Sequence, residues 1–125
     1  MITISRVEKT YQAGETQVRA LRGVDLTVAE GEFTALAGPS GSGKTTLLNL
    51  IGCIDRADAG TLVIDGQDVS TRSAAQLSAF RRENLGFIFQ NFHLVPVLTA
   101  SENVALALNL LGFPKDEVAR RTEAL

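Results

Sequence analysis

The sequence predicts an α/β fold, in which strands and helices alternate along the chain. Strand-like and helix-like patterns of apolar residues follow one another and are separated by short turns. A glycine-rich stretch, GPSGSGKTT at residues 38–46, directly follows the apolar run FTALA at residues 33–37 and precedes a helical pattern. The 125 residues are 45% apolar and 21% charged, a normal mixture for a globular domain with a buried core.

The first predicted strands lie on either side of a short turn. Residues 24–28 alternate apolar and polar side chains, which is the period of two expected for a strand with one face in water. Residues 30–32, Glu-Gly-Glu, are expected to form the turn. Residues 33–37 are apolar throughout, and this pattern predicts a central strand that is covered on both faces.

Helical and strand patterns continue after the glycine-rich stretch. One apolar stripe with the spacing i, i+3, i+4, i+7 predicts a helix, and its members are Leu47, Leu50, Ile51 and Ile54. Residues 62–65 and 85–89 are predicted to be further strands, with a helix at residues 73–84 between them.

Two more helices are predicted in the last part of the chain. Thr99 and Glu102 have the spacing of a capping box, in which each side chain accepts a hydrogen bond from a free backbone N–H at the start of a helix. The helix that follows, near residues 100–111, is apolar on nearly all sides, so we expect it to need cover on more than one face. A final, polar helix is predicted near residues 115–125.

Charge and cysteine content exclude several classes of protein. Twelve Lys and Arg against fourteen Asp and Glu give a net charge of −2, so we expect no nucleic-acid partner. The single cysteine, Cys53, excludes an internal disulfide and fits a reducing compartment. The first residues lack the pattern of a secretory signal, and no apolar run is long enough to span a bilayer. We therefore expect a soluble, cytoplasmic protein.

The glycine-rich stretch satisfies the phosphate-binding pattern G-x-x-x-x-G-K-[ST] from Gly38 to Thr45. Glycines allow backbone N–H groups to turn toward an anion without an obstructing Cβ atom, whereas Pro39 has no N–H to donate. The helix that follows directs its positive dipole end to the same anion. The predicted phosphate-binding residues are Ser40, Gly41, Ser42, Gly43, Lys44, Thr45 and Thr46.

Lys44 and Thr45 have two further roles in such a loop. The Lys44 ammonium adds a full positive charge against the outer phosphates, and the Thr45 hydroxyl is placed to bind Mg²⁺. The alternative is a flexible Gly-Ser linker that contains a Lys-Thr pair by chance. The apolar run before the loop and the helical pattern after it favour phosphate binding.

A phosphate-binding loop alone does not separate kinases, GTPases and transporter ATPases. Two longer stretches do so: LLNLIGCIDRADAGTLVIDGQDV at residues 47–69 and LGFIFQNFHLVPVLTASENVALAL at residues 85–108. With them, the chain resembles the amino-terminal half of an ABC transporter ATPase from residue 2 to about residue 120, and in particular the subgroup that serves lipoprotein release and macrolide export. The resemblance implies a partial P-loop nucleotide-binding domain over residues 1–125, with an amino-terminal antiparallel β portion, a parallel core sheet and the start of a helical subdomain.

The resemblance also implies site residues and partners. Tyr11 occupies the position at which this family stacks an aromatic ring on adenine; without the resemblance, a half-buried strand tyrosine would be the simpler interpretation. Gln90 corresponds to the Q-loop glutamine, which reaches Mg²⁺ and the attacking water near the γ-phosphate of ATP. Residues 91–99 would face integral membrane subunits and relay the nucleotide state to them. The protein would then lie at the inner face of the cell membrane.

Three features of the family are absent from these 125 residues: a signature loop of the LSGGQ type, an apolar strand ending in Asp-Glu, and a switch histidine. The only histidine, His93, lies within the Q-loop segment and is interpreted as an ordinary loop imidazole. Without the acidic pair and the signature loop, we expect the chain to bind ATP weakly and not to hydrolyse it.

The sequence leaves two functions open. The first is the ATP-binding component of an ABC transporter, and the alternative is a stand-alone module that binds nucleotide or itself without hydrolysis. In the family, the acidic-pair strand lies between the P-loop strand and the Q-loop strand, so its absence would leave a slot in the sheet. We expect a second copy to fill that slot, as a homodimer or a domain-swapped assembly. A small P-loop kinase is disfavoured, because the spacing from Lys44 to Gln90 leaves no place for a second substrate site and a lid.

Overall fold

The computed structural model describes residues 1–89, 91 and 93–124, and it separates the chain into two units, Met1–Leu85 and Gly86–Leu125. The elements of the first unit are β1 (Ile2–Ala13), β2 (Thr16–Val28), α1 (Lys44–Ile51), β3 (Ala59–Ile64), β4 (Gln67–Asp68) and α2 (Ala74–Asn84). Those in the described part of the second unit are α3 (Ala100–Leu110) and α4 (Lys115–Glu123).

The four strands form one antiparallel sheet in the order β2-β1-β3-β4. The central strand β1 is paired along both edges, and Ile4 lies opposite Leu26 of β2 on one side and Leu62 of β3 on the other. The alternation predicted for residues 24–28 is confirmed, because Val24, Leu26 and Val28 are half-buried while the residues between them are exposed. The predicted turn at residues 30–32 also forms, and the Glu32 N–H donates to the Ala29 carbonyl at 3.3 Å.

The core of the first unit lies between the sheet and the helices α1 and α2. Its buried apolar side chains come from β1, β2 and β3, from both helices and from the segments that follow α1 and β4: Ile4, Val7, Leu21, Leu47, Leu50, Cys53, Leu62, Ile64, Val69, Leu77 and Phe80. The prediction of an apolar stripe from Leu47 to Ile54 on α1 is only partly confirmed. The helix ends at Ile51, with Gly52 as its C-cap, and Ile54 lies beyond it with half of its surface exposed.

Two of the helices begin with a complete capping box, which fixes where each one starts. Ser73 and Gln76 form the box of α2, and Thr99 and Glu102 form the predicted box of α3. Both predicted helices are therefore confirmed to within a residue. No side chain of α3 is buried, and Leu110 keeps 64% of its surface exposed. We expected α3 to be covered on more than one face because it is apolar on nearly all sides. The residues that the structure describes do not provide this cover.

The strands predicted at residues 33–37 and 85–89 are not formed. Neither segment pairs with a strand in the described part of the chain, and Phe33 and Ile88 are almost fully exposed. The parallel core sheet expected from the sequence is therefore missing among these residues. The physical reason is that a parallel strand needs a neighbour from a distant part of the chain, because no hairpin supplies one. An apolar run alone gives the pattern of a buried strand but no hydrogen-bonding partner.

Gly60 permits an unusually close approach between β3 and β1. Its φ is +88°, and a Cβ atom at this position would lie 2.4 Å from the carbonyl oxygen of Arg6. The register of β1 shifts at this point, and Arg6 has a positive φ of 47°. The bulge in β1 is therefore accommodated by the missing side chain of Gly60.

We predict that Gly60→Ala lowers the free energy of unfolding by about 2–4 kcal/mol, because the added methyl group overlaps the backbone of β1. Gly66→Ala is the matched control, since Gly66 also has a positive φ of 75° but has open space around it. The control should lose only about 1 kcal/mol, the cost of a left-handed conformation. Urea denaturation of both variants measures the difference, and equal losses would contradict the prediction.

Candidate phosphate-binding site

The glycine-rich loop enters α1 through a backbone conformation that only glycine adopts easily. Gly41 and Gly43 have φ of +78° and +89°, and Gly43 is the N-cap of α1. A Cβ atom on Gly43 would lie 2.7 Å from the carbonyl oxygen of Ala20 in β2. The loop therefore packs directly against the backbone of β2, and this packing fixes the start of the helix.

Several backbone N–H groups of the loop have no hydrogen-bond partner among the described residues. The first bond inside α1 runs from the Leu47 N–H to the Gly43 carbonyl at 2.9 Å, so the N–H groups of Lys44, Thr45 and Thr46 are left over. Unpaired N–H groups at a helix start are a general binding site for anions. Ser42 was also predicted to donate its N–H to a phosphate, but in the structure this N–H donates to the Pro39 carbonyl at 3.3 Å.

Lys44 is held inside the loop by the loop's own oxygen atoms. Its Nζ donates to the carbonyls of Gly38 at 2.9 Å and Pro39 at 2.7 Å, and to the Ser42 hydroxyl at 3.3 Å. An ammonium group has three N–H donors. All three are engaged in this structure, so a phosphate oxygen would replace one of the loop oxygens as a partner.

All seven predicted phosphate-binding residues line one groove. The groove has a volume of about 380 Å³, and β2 residues line it together with the loop. These β2 residues include Arg19 and Arg22, which add positive charge next to the loop. The residues that the loop and α1 contribute to the groove are Ser40, Gly41, Ser42, Gly43, Lys44, Thr45 and Thr46.

Tyr11 lies near the end of β1, beside the first turn of α1. Its hydroxyl donates to Oδ2 of Asp55 at 2.7 Å, and 37% of the residue is exposed. Burial and the hydrogen bond to the Asp55 carboxylate raise the pKa of Tyr11, while the neighbouring Thr46 side chain opposes this shift. The structure thus brings Tyr11 next to a residue of the phosphate-binding groove, although the two are 35 positions apart in the sequence.

A cluster of charges supports Tyr11, and sequence reasoning did not find it. Lys9 is only 9% exposed, and its Nζ donates to Oδ1 of Asp55 at 2.9 Å and to the carbonyl of Arg56 at 2.7 Å. The same Nζ lies 3.7 Å from Asp58 and 5.1 Å from the centre of the Tyr11 ring. Lys9 and Tyr11 belong to β1, whereas the acidic residues follow α1. No sequence pattern predicts a contact across this separation.

Lys9 and Asp55 each stabilise the charged form of the other. Burial alone would lower the pKa of Lys9, but the hydrogen bond and the charge of Asp55 outweigh it and raise that pKa. Burial alone would raise the pKa of Asp55, but hydrogen bonds from Lys9 and Tyr11 outweigh it and lower that pKa. The cluster is therefore ionised at neutral pH, with the positive charge beside the negative one.

Gln90, predicted to act in catalysis and to bind Mg²⁺, lies outside the described residues. Thr45, its predicted partner at the metal, is exposed in the first turn of α1. Residues 1–89, 91 and 93–124 contain no group of three or more His, Cys, Asp and Glu side chains able to hold a metal ion.

The ring of His93 stacks on Phe89 at 4.4 Å. None of the helices described is long and apolar enough to cross a membrane.

Comparisons with known proteins match almost the whole chain. The family model described as ABC transporter matches residues 21–125. The chain is 43% identical to YknY, an uncharacterized ABC transporter ATP-binding protein of Bacillus subtilis, over 98% of the chain and 54% of that protein. It is 40% identical to the macrolide export ATP-binding/permease protein MacB of Shigella flexneri, over 100% of the chain and 19% of that protein.

Solved structures match equally well. The dimeric ATP-binding cassette MJ0796, in a post-hydrolysis state bound to ADP and Pi, has a TM-score of 0.90 and 41% identity over 99% of this chain. A second dimeric structure of the same cassette, described as bacterial, has a TM-score of 0.89 and 43% identity. The chain spans about half the length of the ATP-binding relatives and cassettes that it matches.

We predict that acid weakens the fold partly through Asp55. Because the folded pKa of Asp55 is lowered from 3.8, its stabilisation is complete above that value and is lost as the pH falls through the folded pKa. The unfolding free energy of the wild type should therefore fall more steeply below about pH 4 than that of Asp55→Asn. Urea denaturation between pH 6 and pH 2.5 measures both slopes, and parallel profiles would contradict the prediction.

Proposed function

The chain belongs to the ABC transporter family, and from this membership we propose that its glycine-rich loop binds the phosphates of ATP in the motor of a transporter. One observation carries the proposal: seven residues of the loop and of α1 line a single groove, with Lys44 inside the loop and N–H groups at the helix start that pair with none of the described residues. The similar cassette MJ0796 was solved bound to ADP and Pi, which supports a nucleotide as the ligand.

The groove and the neighbouring Tyr11 suit different parts of ATP. The N–H groups of α1 and the Lys44 ammonium would contact the phosphates, which carry the negative charge. The exposed hydroxyl of Thr45 offers the oxygen ligand that Mg²⁺ prefers, and Gln90 would be the second protein ligand. Bound Mg²⁺ would neutralise part of the charge that the phosphates carry. The Tyr11 ring would stack on adenine, since it lies beside Thr46 and is partly exposed.

The second unit supplies the proposed contact with the membrane subunits. Leu94 and Val97, in the segment at residues 91–99, expose 63% and 88% of their surfaces. We propose that these two apolar side chains form part of the contact surface. The name of MacB joins ATP-binding and permease parts in one protein, which supports such an arrangement. Export of a macrolide-type substrate or lipoprotein release is the transport process that we propose for the full-length protein.

A second copy of the chain is the other proposed partner. Both similar cassette structures are dimeric. Here the exposed segments at residues 33–37 and 85–89 lack strand neighbours in the described part of the chain, so another copy could pair with them. We therefore propose a homodimer or a domain-swapped assembly at the cytoplasmic face of the membrane. Light scattering at high concentration tests it, and a monodisperse monomer would exclude it.

We further propose that these 125 residues form a partial nucleotide-binding domain that binds ATP without hydrolysing it. The sequence has no signature loop, and its only Asp-Glu pair, Asp116 and Glu117, lies in the first turn of α4 rather than at the end of a strand. A carboxylate that orients the attacking water is then missing from the groove.

We predict that Mg-ATP raises the midpoint of thermal unfolding by several degrees in the wild type. Ligand at a hundredfold excess over its Kd adds about 2.7 kcal/mol of stability, which for a domain of this size is a shift of several degrees. Lys44→Ala should abolish the shift. The comparison uses the change caused by ATP in each protein, because Lys44→Ala also removes hydrogen bonds within the loop itself. Lys115→Ala, in the second unit, is the control and should keep the shift.

Phosphate release from ATP by the purified chain should stay at the background rate, and Lys44→Ala should not change it. A malachite-green assay measures this release. A rate that rises with protein concentration and is lost in Lys44→Ala would overturn the proposal that the chain does not hydrolyse ATP. An ATP-induced thermal shift without hydrolysis would support it.

A further inference from the structure

We infer that Asp55 is a positioning residue for the base of the nucleotide, because its carboxylate fixes the Tyr11 ring beside the phosphate-binding groove. The inference rests on the proposed function, in which Tyr11 stacks on adenine. Asp55 would itself contact neither the base nor the phosphates. Its role would be to hold the ring in the orientation that a bound base requires.

The contacts of Asp55 link the two ends of the proposed site. Its Oδ2 accepts the hydrogen bond of the Tyr11 hydroxyl at 2.7 Å. Its backbone N–H donates to the Asn49 carbonyl of α1 at 3.2 Å. The loop lies at the start of α1, and Asp55, which holds the Tyr11 ring, follows the end of the same helix. A tyrosine ring without this bond would rotate about two side-chain torsions on an exposed strand end.

Lys9 offsets the free-energy cost of a partly buried carboxylate beside the phosphate-binding groove. A negative charge near a polyphosphate repels it, and a desolvated carboxylate is costly unless it is paired. The Lys9 Nζ at 2.9 Å from Oδ1 balances the charge of Asp55 and leaves Oδ2 for Tyr11. The side chain of Asp55 keeps 30% of its surface exposed and that of Lys9 only 11%, so the positive partner is the more buried one. The two oxygens of Asp55 thus have separate tasks.

The hydrogen bond can be observed directly without any nucleotide. Tyr11 is the only tyrosine, and the chain has no tryptophan. An absorbance titration near 295 nm therefore reports on this one phenol. Because burial and the Asp55 carboxylate raise the pKa of Tyr11, Asp55→Ala should move the titration back toward about pH 10. An unchanged titration would show that the bond to Asp55 is not formed and would overturn the inference.

The positioning role is tested by comparing two ligands, Mg-ATP and Mg-tripolyphosphate, by isothermal titration calorimetry. Tripolyphosphate has the phosphates but no base. Asp55→Ala should lower the affinity for ATP relative to tripolyphosphate roughly fivefold, the effect of one lost hydrogen bond. The ratio of the two affinities is compared because the Lys9 charge that Asp55→Ala leaves unpaired acts on the phosphates of both ligands. Asp55→Asn keeps an oxygen that accepts from Tyr11 and should restore most of the affinity. Tyr11→Phe removes only the hydroxyl and should match Asp55→Ala, and combining the two changes should add nothing.

Three further outcomes separate this inference from the proposed function. Equal weakening of ATP and tripolyphosphate by Asp55→Ala and Tyr11→Phe would mean a structural role only. If Tyr11→Ala weakens ATP alone while Asp55→Ala and Tyr11→Phe change nothing, the positioning role is wrong and the adenine contact stands. If Tyr11→Ala leaves the preference for ATP unchanged, the adenine contact itself is wrong. Asp58→Asn is the matched control, because Asp58 contacts Lys9 at 3.7 Å but makes no hydrogen bond to Tyr11.

Discussion

The pairing of β1 along both of its edges is the constraint on which the rest of the first unit depends. One edge holds β2, whose Ala20 carbonyl contacts the glycine-rich loop, and the other holds β3, which follows the segment that carries Asp55. Lys9 and Tyr11 belong to β1 itself. A shift of one residue in either register would turn these side chains to the other face of the sheet. The site therefore depends on the pairing, bulges included, that β1 keeps with both of its neighbours.

The two ends of the proposed site are held by different kinds of interaction. At the phosphate end, backbone packing holds the loop in place, because Gly43 approaches the Ala20 carbonyl more closely than any side chain would allow. At the base end, side-chain contacts hold the ring in place, because the Tyr11 hydroxyl donates to the Asp55 carboxylate, which is paired in turn with Lys9. Backbone sites recognise charge and shape with little dependence on side-chain type, whereas side-chain networks fail when one member is lost. Substitutions therefore act through backbone geometry at Gly43 and through lost side-chain contacts at Tyr11 and Asp55.

Local patterns predicted much of this fold, and their failures have a common cause. The capping box at Thr99 and Glu102 depends on residues close in sequence and forms as predicted, and residues 40–46 of the glycine-rich loop, also neighbours in sequence, line one groove. The likeness to solved cassettes also confirms the α/β class. The strands at residues 33–37 and 85–89 depend on distant partners, which an apolar pattern cannot supply. Lys9 and Asp55 were missed for the same reason, because 46 positions separate them.

Lys44 gives the glycine-rich loop a property of its own. Its ammonium group already binds three oxygens of the loop, so the cation acts as an internal cross-link around which the chain is wrapped. In the proposed site, a phosphate would exchange one oxygen partner of Lys44 for another and would order little new backbone. Association then loses less conformational entropy than folding a slack loop around phosphate would. The lysine that would attract the phosphates thus also holds the loop in one conformation when no ligand is bound.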